Sequence, residues 1–297
     1  MIRERRRTRH INLERELRRL CLRNRDGSFA TQANRRDVLR LCARQLKALG
    51  IYHLAPQGLK PKHIEMLVKH WLSEGKSAGT IKNRMCALRW WAEKVGKQNV
   101  VARDNAVHGI PMRRFVTNQS KAKDIPDAIL AKVPDERIRC ALALQRAFGL
   151  RREECLKFQP KYADKGESLQ LKASWTKGGK ARCIPVRTLK QREVLQWAHR
   201  VAGSGSMIPP EKSYVEQMRR YEGVTKYVGL SKMHGLRHAY AQERYQELTG
   251  RLCPACGGKT SRELSSDDKT RDRRARLQIS QELGHEREEV TAVYLGR

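Results

Sequence analysis

Five short pieces in the second half of the chain carry residue types that could do chemistry on a phosphate ester. They are Phe-Gly-Leu-Arg-Arg-Glu-Glu at 148–154, Thr-Lys-Gly-Gly-Lys-Ala-Arg at 176–182, His-Gly-Leu-Arg-His at 234–238, Leu-Gly-His at 283–285, and a tyrosine nine residues after the last of these histidines. Their reactive side chains are Arg151, Lys177, His234, Arg237, His285 and Tyr294. Guanidiniums bind phosphate oxygens through fixed, bidentate hydrogen bonds, and a phenol can act as a nucleophile. The set therefore suits attack on a phosphodiester, with no divalent metal required.

The order and spacing of these pieces resemble those of the tyrosine recombinases, the family that includes the Xer resolvases, Cre and lambda integrase. The resemblance is tight over residues 135–297 and loose over the rest of the chain. It implies that the six side chains above are the catalytic set, and that Glu154, three residues after Arg151, is a supporting acid. Every motif position holds the residue type that the family prefers, so the resemblance implies an active enzyme.

The resemblance implies a nucleophile and an anion clamp. Tyr294 is expected to attack the phosphodiester and to hold the strand as a 3′-phosphotyrosine, a linkage that conserves bond energy for rejoining without ATP. Arg151 and Arg237 are expected to bind the non-bridging oxygens, where negative charge grows in the transition state.

The other members of the set are expected to move protons and to support the clamp. A phenol with a pKa of about 10 needs help to lose its proton, and His234 is the expected general base. Lys177, on a mobile hairpin, is the expected general acid for the leaving 5′ oxygen. His285 is expected to hydrogen-bond a phosphate oxygen, and Glu154 is expected to orient Arg151 or to stabilise its helix turn.

Each of these residues has an ordinary interpretation when it is taken alone. An arginine at a helix end is usually a solvated cation, a lysine in a Gly-Gly turn is usually part of the turn, and a lone histidine is usually structural. The joint order of the pieces favours the catalytic interpretation. Two alternatives stay open, since Lys180 competes with Lys177, and Arg152 competes with Arg151 if the helix end is rotated by one residue.

The charge of the chain predicts a polyanionic partner. The 297 residues include 63 Lys and Arg and 31 Asp and Glu, which gives a net charge of +32. Each phosphate that a basic side chain neutralises releases a condensed counterion, so double-stranded DNA is the expected partner. No stretch approaches the roughly 20 apolar residues of a membrane span, so no membrane partner is expected. Cysteines scattered among apolar residues indicate a reducing compartment, and the expected location is cytoplasmic and nucleoid-associated.

The pattern of apolar residues predicts a mainly α protein with a small β hairpin in its C-terminal domain, an α+β arrangement. In the first part, apolar spacings of i, i+3, i+4 and i+7 predict four helices, the second capped by Thr31, the third opened by Pro61 and the fourth preceded by Ser77. The resemblance implies that these helices are a SAM-like core-binding bundle, which a tyrosine recombinase catalytic domain follows. The predicted boundaries are 1–110 for the helical DNA-binding domain, 111–130 for a linker and 131–297 for the catalytic domain.

The catalytic domain is predicted to contain both helices and strands. The predicted helices cover about 134–148, 189–201, 211–227, 233–248 and 276–283, and a last short helix carries Tyr294. Two strands, 168–174 and 182–186, flank the Lys-Gly-Gly-Lys turn. Residues 251–274 are polar and are predicted to be irregular, and we interpret about 250–274 as an insertion relative to the family.

Eight basic residues are predicted to contact DNA. They are Lys82, Arg84, Arg89, Arg113, Arg114, Lys121, Lys123 and Lys180. Most such contacts are expected to touch phosphates and to set register. The helix over 77–96 is the expected major-groove element, although a solvated charged face explains its basic residues equally well. An arginine cluster at residues 3–9 is expected to be a disordered arm that adds non-specific affinity.

Cys253-Pro-Ala-Cys256 is the one motif that is not part of the predicted catalytic set. A C-x-x-C followed by glycine resembles half of a zinc site, but a tetrahedral site needs two further ligands and the sequence has no second C-x-x-C. Four interpretations stay open: free thiols in an exposed loop, a disulfide, a structural zinc shared between protomers, or a zinc completed by a distant cysteine. No cofactor and no metal are expected for catalysis.

The resemblance therefore implies a site-specific DNA recombinase, and by analogy with the family an integrase of a mobile element. Its expected partners are double-stranded DNA and further copies of the chain, as a tetramer on two DNA sites. Accessory DNA-bending or directionality factors are further candidates. Two alternatives stay open: a type IB topoisomerase-like enzyme that nicks and reseals one strand, and a catalytically silent DNA-binding regulator on the same scaffold.

Overall fold

The computed structural model describes residues 12–285 and 287–297. The chain divides into two compact units, the first ending at Arg114 and the second beginning at Phe115. Each unit has a hydrophobic core of its own. The arginine cluster predicted to form an N-terminal arm, residues 3–9, lies outside the described residues.

Four helices form the first unit. They are α1 (Leu13–Arg23), α2 (Phe29–Ala48), α3 (Pro61–Ser73) and α4 (Ala78–Lys94). Trp71 and Trp91 are fully buried between them. Ser77, which the sequence places just before the fourth helix, caps α4. The cap of α2 is Ser28 and not Thr31, because the Ser28 hydroxyl accepts the backbone N–H of Thr31.

The second unit contains nine further helices and one hairpin within its described residues. In chain order they are α5 (Asp127–Ala131), α6 (Glu136–Phe148), α7 (Arg152–Leu156), α8 (Pro160–Ala163), β1 (Ser168–Leu171), β2 (Arg182–Pro185), α9 (Leu189–Ala202), α10 (Tyr214–Tyr227), α11 (Gly235–Thr249), α12 (Ser266–Glu282) and α13 (Glu288–Leu295). The predicted fold class, mainly α with a small β hairpin, is confirmed.

The core of the second unit surrounds α6. Ile138, Cys140 and Leu144 of this helix are fully buried, and α9 and α11 pack against it. Burial on more than one side explains why α6 is apolar around much of its circumference. Within the described residues, no helix is both long and apolar enough to cross a membrane.

The hairpin pairs β1 and β2 in antiparallel register, with Leu171 opposite Arg182. The strand predicted to reach residue 174 ends at Leu171, because a 3-10 turn over Ala173–Trp175 buries Trp175 in the core. Lys177 lies in the connection that follows this turn. The register places Arg182 at the start of β2, and this position becomes important at the site described below.

Helix α12 is the largest departure from the sequence prediction. Residues 251–274 were predicted to be irregular, yet α12 begins at Ser266, where the Ser265 hydroxyl caps it by accepting the Asp268 N–H. The helix lacks an apolar stripe because several of its buried positions are polar. Asp272 and Arg276, for example, are both buried and form an ion pair at 2.8 Å. Paired charges can be buried in this way, but they leave no hydrophobic periodicity in the sequence.

Candidate active site

Arg237 lies at the centre of a buried cluster of predicted catalytic residues. It stands in the first turn of α11, and its side chain has no exposed surface. Its guanidinium donates to the carbonyls of Gly149 (2.6 Å) and Leu283, and its Nε lies 3.3 Å from the Tyr294 hydroxyl. Burial lowers the pKa of Arg237 to about 10, so the group stays charged at neutral pH.

Tyr294 lies on α13 with its hydroxyl inside this cluster. Only 5% of the residue is exposed. Besides Arg237, the hydroxyl has the Nε2 of His285 at 3.5 Å. The backbone carbonyl of Tyr294 accepts a hydrogen bond from the Gln242 amide at 2.9 Å, which ties α13 to α11. Tyr294 is therefore held at its hydroxyl and at its backbone carbonyl.

Three histidines surround the Tyr294 ring. Ring centroids lie 4.6 Å away for His238, 5.9 Å for His285 and 6.1 Å for His234. Burial, followed by the charges of Arg237 and Arg151, lowers the pKa of His285 to about 4 and also lowers the pKa of His234. Both imidazoles are therefore neutral at pH 7 and can accept a proton.

Arg151 and Glu154 form a compact unit at the start of α7. The Glu154 carboxylate accepts hydrogen bonds from the Arg151 backbone N–H at 2.7 Å and from its Nη1 at 2.8 Å. Burial alone would raise the pKa of Glu154, but Arg182, Arg237 and Arg151 outweigh it and hold the pKa at about 2. The ionised carboxylate fixes the guanidinium of Arg151 in one direction.

Two residues of this cluster lie within the motif pieces, but the sequence reasoning gives them no role in the site. Arg182 of β2, the last residue of the hairpin piece, forms two hydrogen bonds to Glu154, at 2.9 and 2.7 Å, and the sequence does not reveal this partner. His238 follows His234 by four residues on a helix, so the i, i+4 rule could have placed it on the same face. Within the described residues, the buried Nδ1 of His238 has no hydrogen-bond partner.

Two family models match the chain and together cover most of it. The first, described as the N-terminal part of phage integrases, matches residues 11–101, and the second, described as integrase, matches residues 112–243. The chain belongs to the tyrosine recombinase family. It is therefore an enzyme that breaks and rejoins DNA strands in site-specific recombination.

Solved structures share the fold of this tyrosine recombinase. A lambda integrase dimer bound to a core site has a TM-score of 0.63 at 16% identity, covering 96% of this chain and 77% of that one. The Tn1549 transposon integrase has a TM-score of 0.55 at 12% identity, covering 97% and 96%. The XerH recombinase has a TM-score of 0.55 at 15% identity, covering 95% and 80%. No curated protein matches the chain by sequence.

The hairpin lysines of the recombinase lie outside the cluster. Lys177 is exposed, and within the described part of the chain its ammonium makes no hydrogen bond or ion pair. Lys180 is also exposed. The alternative to Arg151 also lies elsewhere, since Arg152 pairs with Glu222 of α10 at 2.6 Å. The structure thus brings Arg151 to the cluster, while the role of Lys177 as general acid stays a prediction.

The residues predicted to contact DNA fall into two groups. In α4, Arg89 donates to the Ala102 carbonyl and to Asn105, and the Arg84 guanidinium lies over the Trp71 ring, so both stabilise the first unit. Lys82 is half-buried in the same helix. The others are exposed; they are Arg113, Arg114, Lys121, Lys123 and Lys180. Contact of all eight with DNA stays a prediction.

The Cys253–Cys256 motif forms a short turn beside α13. Cys253 is buried and Cys256 is half-buried, and the Cys256 thiol donates to the Gln242 side-chain oxygen at 3.1 Å. Among residues 12–285 and 287–297, no group of three His, Cys, Asp or Glu side chains is placed to hold a metal. The described residues therefore do not fit a tetrahedral zinc within one chain. The motif instead contacts Gln242, which holds the backbone of Tyr294.

Proposed function

We propose that this recombinase is the integrase of a mobile element and that it cleaves DNA through a 3′-phosphotyrosine at Tyr294. One observation carries the proposal. The Tyr294 hydroxyl lies within 3.5 Å of both the Arg237 guanidinium and a neutral His285. Glu154, which pairs with Arg151 at 2.8 Å, lies 4.0 Å from the same Arg237 guanidinium. A nucleophile, an anion clamp and a proton acceptor thus converge on one point.

The proposed reaction conserves the number of phosphate ester bonds. The Tyr294 oxygen forms a bond to phosphorus while the bond from phosphorus to the 5′ oxygen breaks. The phenol proton passes to a neutral imidazole; His285 is the nearer one, and His234, the base that the sequence predicts, flanks the ring at 6.1 Å. Lys177 supplies the proton that the 5′ oxygen takes up. The reverse steps rejoin the strand.

The two arginines supply most of the electrostatic stabilisation in this proposal. Negative charge grows on the non-bridging oxygens as the phenol attacks, and preorganised donors in a water-poor site stabilise it more than water does. Arg237 is held by carbonyls of two segments, and Arg151 is held by Glu154. Neither guanidinium therefore has to reorganise when the phosphate arrives.

Duplex DNA and several copies of the chain complete the proposal. Structures with the same fold include a lambda integrase tetramer bound to a Holliday junction and the Tn1549 integrase in complex with circular intermediate DNA. We infer a similar assembly on two DNA sites for this chain. The net charge of +32 supports the DNA partner. Work on chromosomal DNA would place the enzyme at the nucleoid.

A trapping experiment tests the nucleophile. The probe is a duplex enriched from a random-sequence pool by binding to this protein, with a nick just 3′ of the scissile position. The short fragment escapes after cleavage, so the adduct accumulates and is seen as a shifted band on a denaturing gel. We expect an adduct with the wild type and with Tyr227→Phe, an exposed tyrosine of the same unit, and none with Tyr294→Phe.

A strand-exchange assay separates the proposal from its alternatives. Two duplexes with different labels and the same selected core are incubated with the protein. The proposal predicts products that join the two labels. Relaxation of supercoiled plasmid without joined products would instead indicate a topoisomerase-like enzyme. Specific binding without any adduct would indicate a silent regulator.

A further inference from the structure

Arg182 is the residue outside the predicted catalytic set that is most closely built into the site. Glu154 presents two carboxylate oxygens, and Arg182 donates to both, from Nη1 at 2.9 Å and from Nη2 at 2.7 Å. Arg151 fills the other positions, with its backbone N–H at 2.7 Å and its Nη1 at 2.8 Å. Two oxygens thus accept four hydrogen bonds, which satisfies the carboxylate fully.

The same guanidinium also holds the end of α12. Its Nε donates to the Glu282 carbonyl at 2.9 Å, three residues before His285. Gly284 lies against it, since a Cβ added at that glycine would stand 2.9 Å from the Arg182 Cδ. The adjacent Leu283 carbonyl accepts a hydrogen bond from Arg237. Arg182 therefore links the segment that carries Arg151 to the segment that carries His285.

Burial makes this link difficult to replace. The side chains of Arg182 and Glu154 are 6% and 0% exposed. A buried carboxylate that loses one partner either stays charged without compensation or takes up a proton, and both outcomes loosen the groups bonded to it. Without Arg182, Glu154 would keep hydrogen bonds from Arg151 alone, with Arg237 at 4.0 Å.

We propose that Arg182 is a positioning residue of this active site, which locks Glu154 and the end of α12 so that Arg151 and His285 face the scissile phosphate. Each of its three nitrogens donates one hydrogen bond to a protein acceptor, and the proposed role runs through these neighbours. This inference rests on the proposed function.

The test compares adduct formation in variants that differ only at this ion pair. The probe is the selected nicked duplex, at saturating protein, with the single-turnover rate as the readout. For Arg182→Met we expect a rate about 100-fold below wild type, and for Arg182→Lys, which keeps the charge, a loss of about 10-fold. The dissociation constant for the duplex should change by less than about 2-fold, because the proposed role of Arg182 is in the chemical step and not in DNA binding.

Arg192→Met is the matched control. Arg192 forms a similar two-bond ion pair with Asp164 in the same unit, at 2.9 and 2.8 Å, and within the described residues it has no hydrogen bond or ion pair with the cluster. Its removal should leave the adduct rate within about 2-fold of wild type. A melting temperature for each variant shows that the protein is folded, and Arg182→Lys provides a second, milder substitution.

A double-mutant cycle with Glu154→Gln decides whether Arg182 acts through Glu154. The effects of substitutions at residues that act as one unit are not additive. In the Glu154→Gln background, Arg182→Met should therefore lower the adduct rate by less than about 3-fold. The inference would be overturned if Arg182→Met formed the adduct at the wild-type rate. It would also be overturned if Arg182→Met reduced the adduct rate by the same factor in the Glu154→Gln background as in the wild type. Failure of the proposed function is distinct, because it shows as a wild type without adduct.

Discussion

At the residue scale, the site combines charged arginines with neutral histidines. Burial lowers the pKa of Arg237 only to about 10, so this group keeps its positive charge. Burial, followed by the charges of Arg237 and Arg151, lowers the pKa of His234 and of His285, the latter to about 4. A charged arginine and a neutral histidine a few ångströms apart suit a reaction in which the site must bind an anion and also accept a proton. The arrangement predicts a particular pH dependence.

The acidic limb of cleavage should lie below pH 6.5. A histidine whose pKa is lowered stays neutral, and so able to accept a proton, down to a lower pH than the ordinary value of about 6.5. The readout is the second-order rate of adduct formation at low protein concentration and constant ionic strength, which reports the free enzyme. We expect the rate to stay level from pH 8 to below 6.5 and then to fall.

Two variants identify the group behind this limb. His285→Gln removes the titrating ring but keeps a polar side chain, so the limb should weaken or move. His199→Gln, which alters a surface histidine that pairs with Asp164, should leave the profile unchanged. A wild-type limb centred above pH 6.5 would contradict the account of the neutral histidines.

The motif residues could be predicted from the sequence because their types and order are characteristic as a set. Arg182 could not be predicted, since its role depends on a hydrogen bond to Glu154 across 28 positions of the chain. The exposed position of Lys177 is likewise a property of the folded hairpin. A role that follows from residue type can thus be inferred from the sequence, whereas a role that depends on a hydrogen-bond partner requires the structure.

At the element scale, Gln242 connects three segments behind the nucleophile. Its amide donates to the Tyr294 carbonyl at 2.9 Å, and its oxygen accepts from Ser120 at 2.9 Å and from the Cys256 thiol at 3.1 Å. Gln242 of α11 therefore connects α13 to the segment before α5 and to the cysteine turn. This connection gives the Cys253–Cys256 turn a structural role behind α13.

Gln242→Met should slow adduct formation by about 10-fold without weakening DNA binding. Methionine keeps the size of the side chain but leaves the Tyr294 carbonyl without its donor, so α13 loses part of its alignment. Gln246→Met, one helical turn further along α11 and exposed, is the control and should react like wild type. Equal rates for the two variants would show that α13 is aligned by other contacts.

Helices with an apolar stripe were predictable as elements, and α3, α4, α6 and α9 lie close to their predicted positions. Helix α12 was not, because its buried residues form polar pairs such as Arg244 with Glu282 and Arg276 with Asp272. A pattern search based on hydrophobicity cannot detect a helix that is stabilised in this way.

At the scale of the whole molecule, the net charge of +32 should make DNA binding strongly dependent on salt. For about six to ten phosphate contacts, affinity is expected to fall by about 10³- to 10⁵-fold between 50 and 200 mM salt. Fluorescence anisotropy with the selected duplex measures this. A nearly flat salt dependence would contradict a phosphate-based interface.

Single lysines can be assigned within the same measurement. Lys121→Gln, at one of the predicted contacts, should reduce the salt slope by about one and leave sequence preference unchanged. Lys161→Gln, an exposed lysine that is not among the predicted contacts, is the matched control and should keep the wild-type slope. An unchanged slope for Lys121→Gln would remove that residue from the proposed DNA surface.

The most direct test of the central claim is to identify the linked residue in the trapped adduct by mass spectrometry. After nuclease and trypsin digestion, the peptide Glu288–Arg297 contains Tyr294 as its single tyrosine. The account predicts that this peptide carries a nucleotide through a 3′-phosphate and that the released strand has a free 5′ hydroxyl. A nucleotide on another peptide, or a link through a 5′-phosphate, would contradict it.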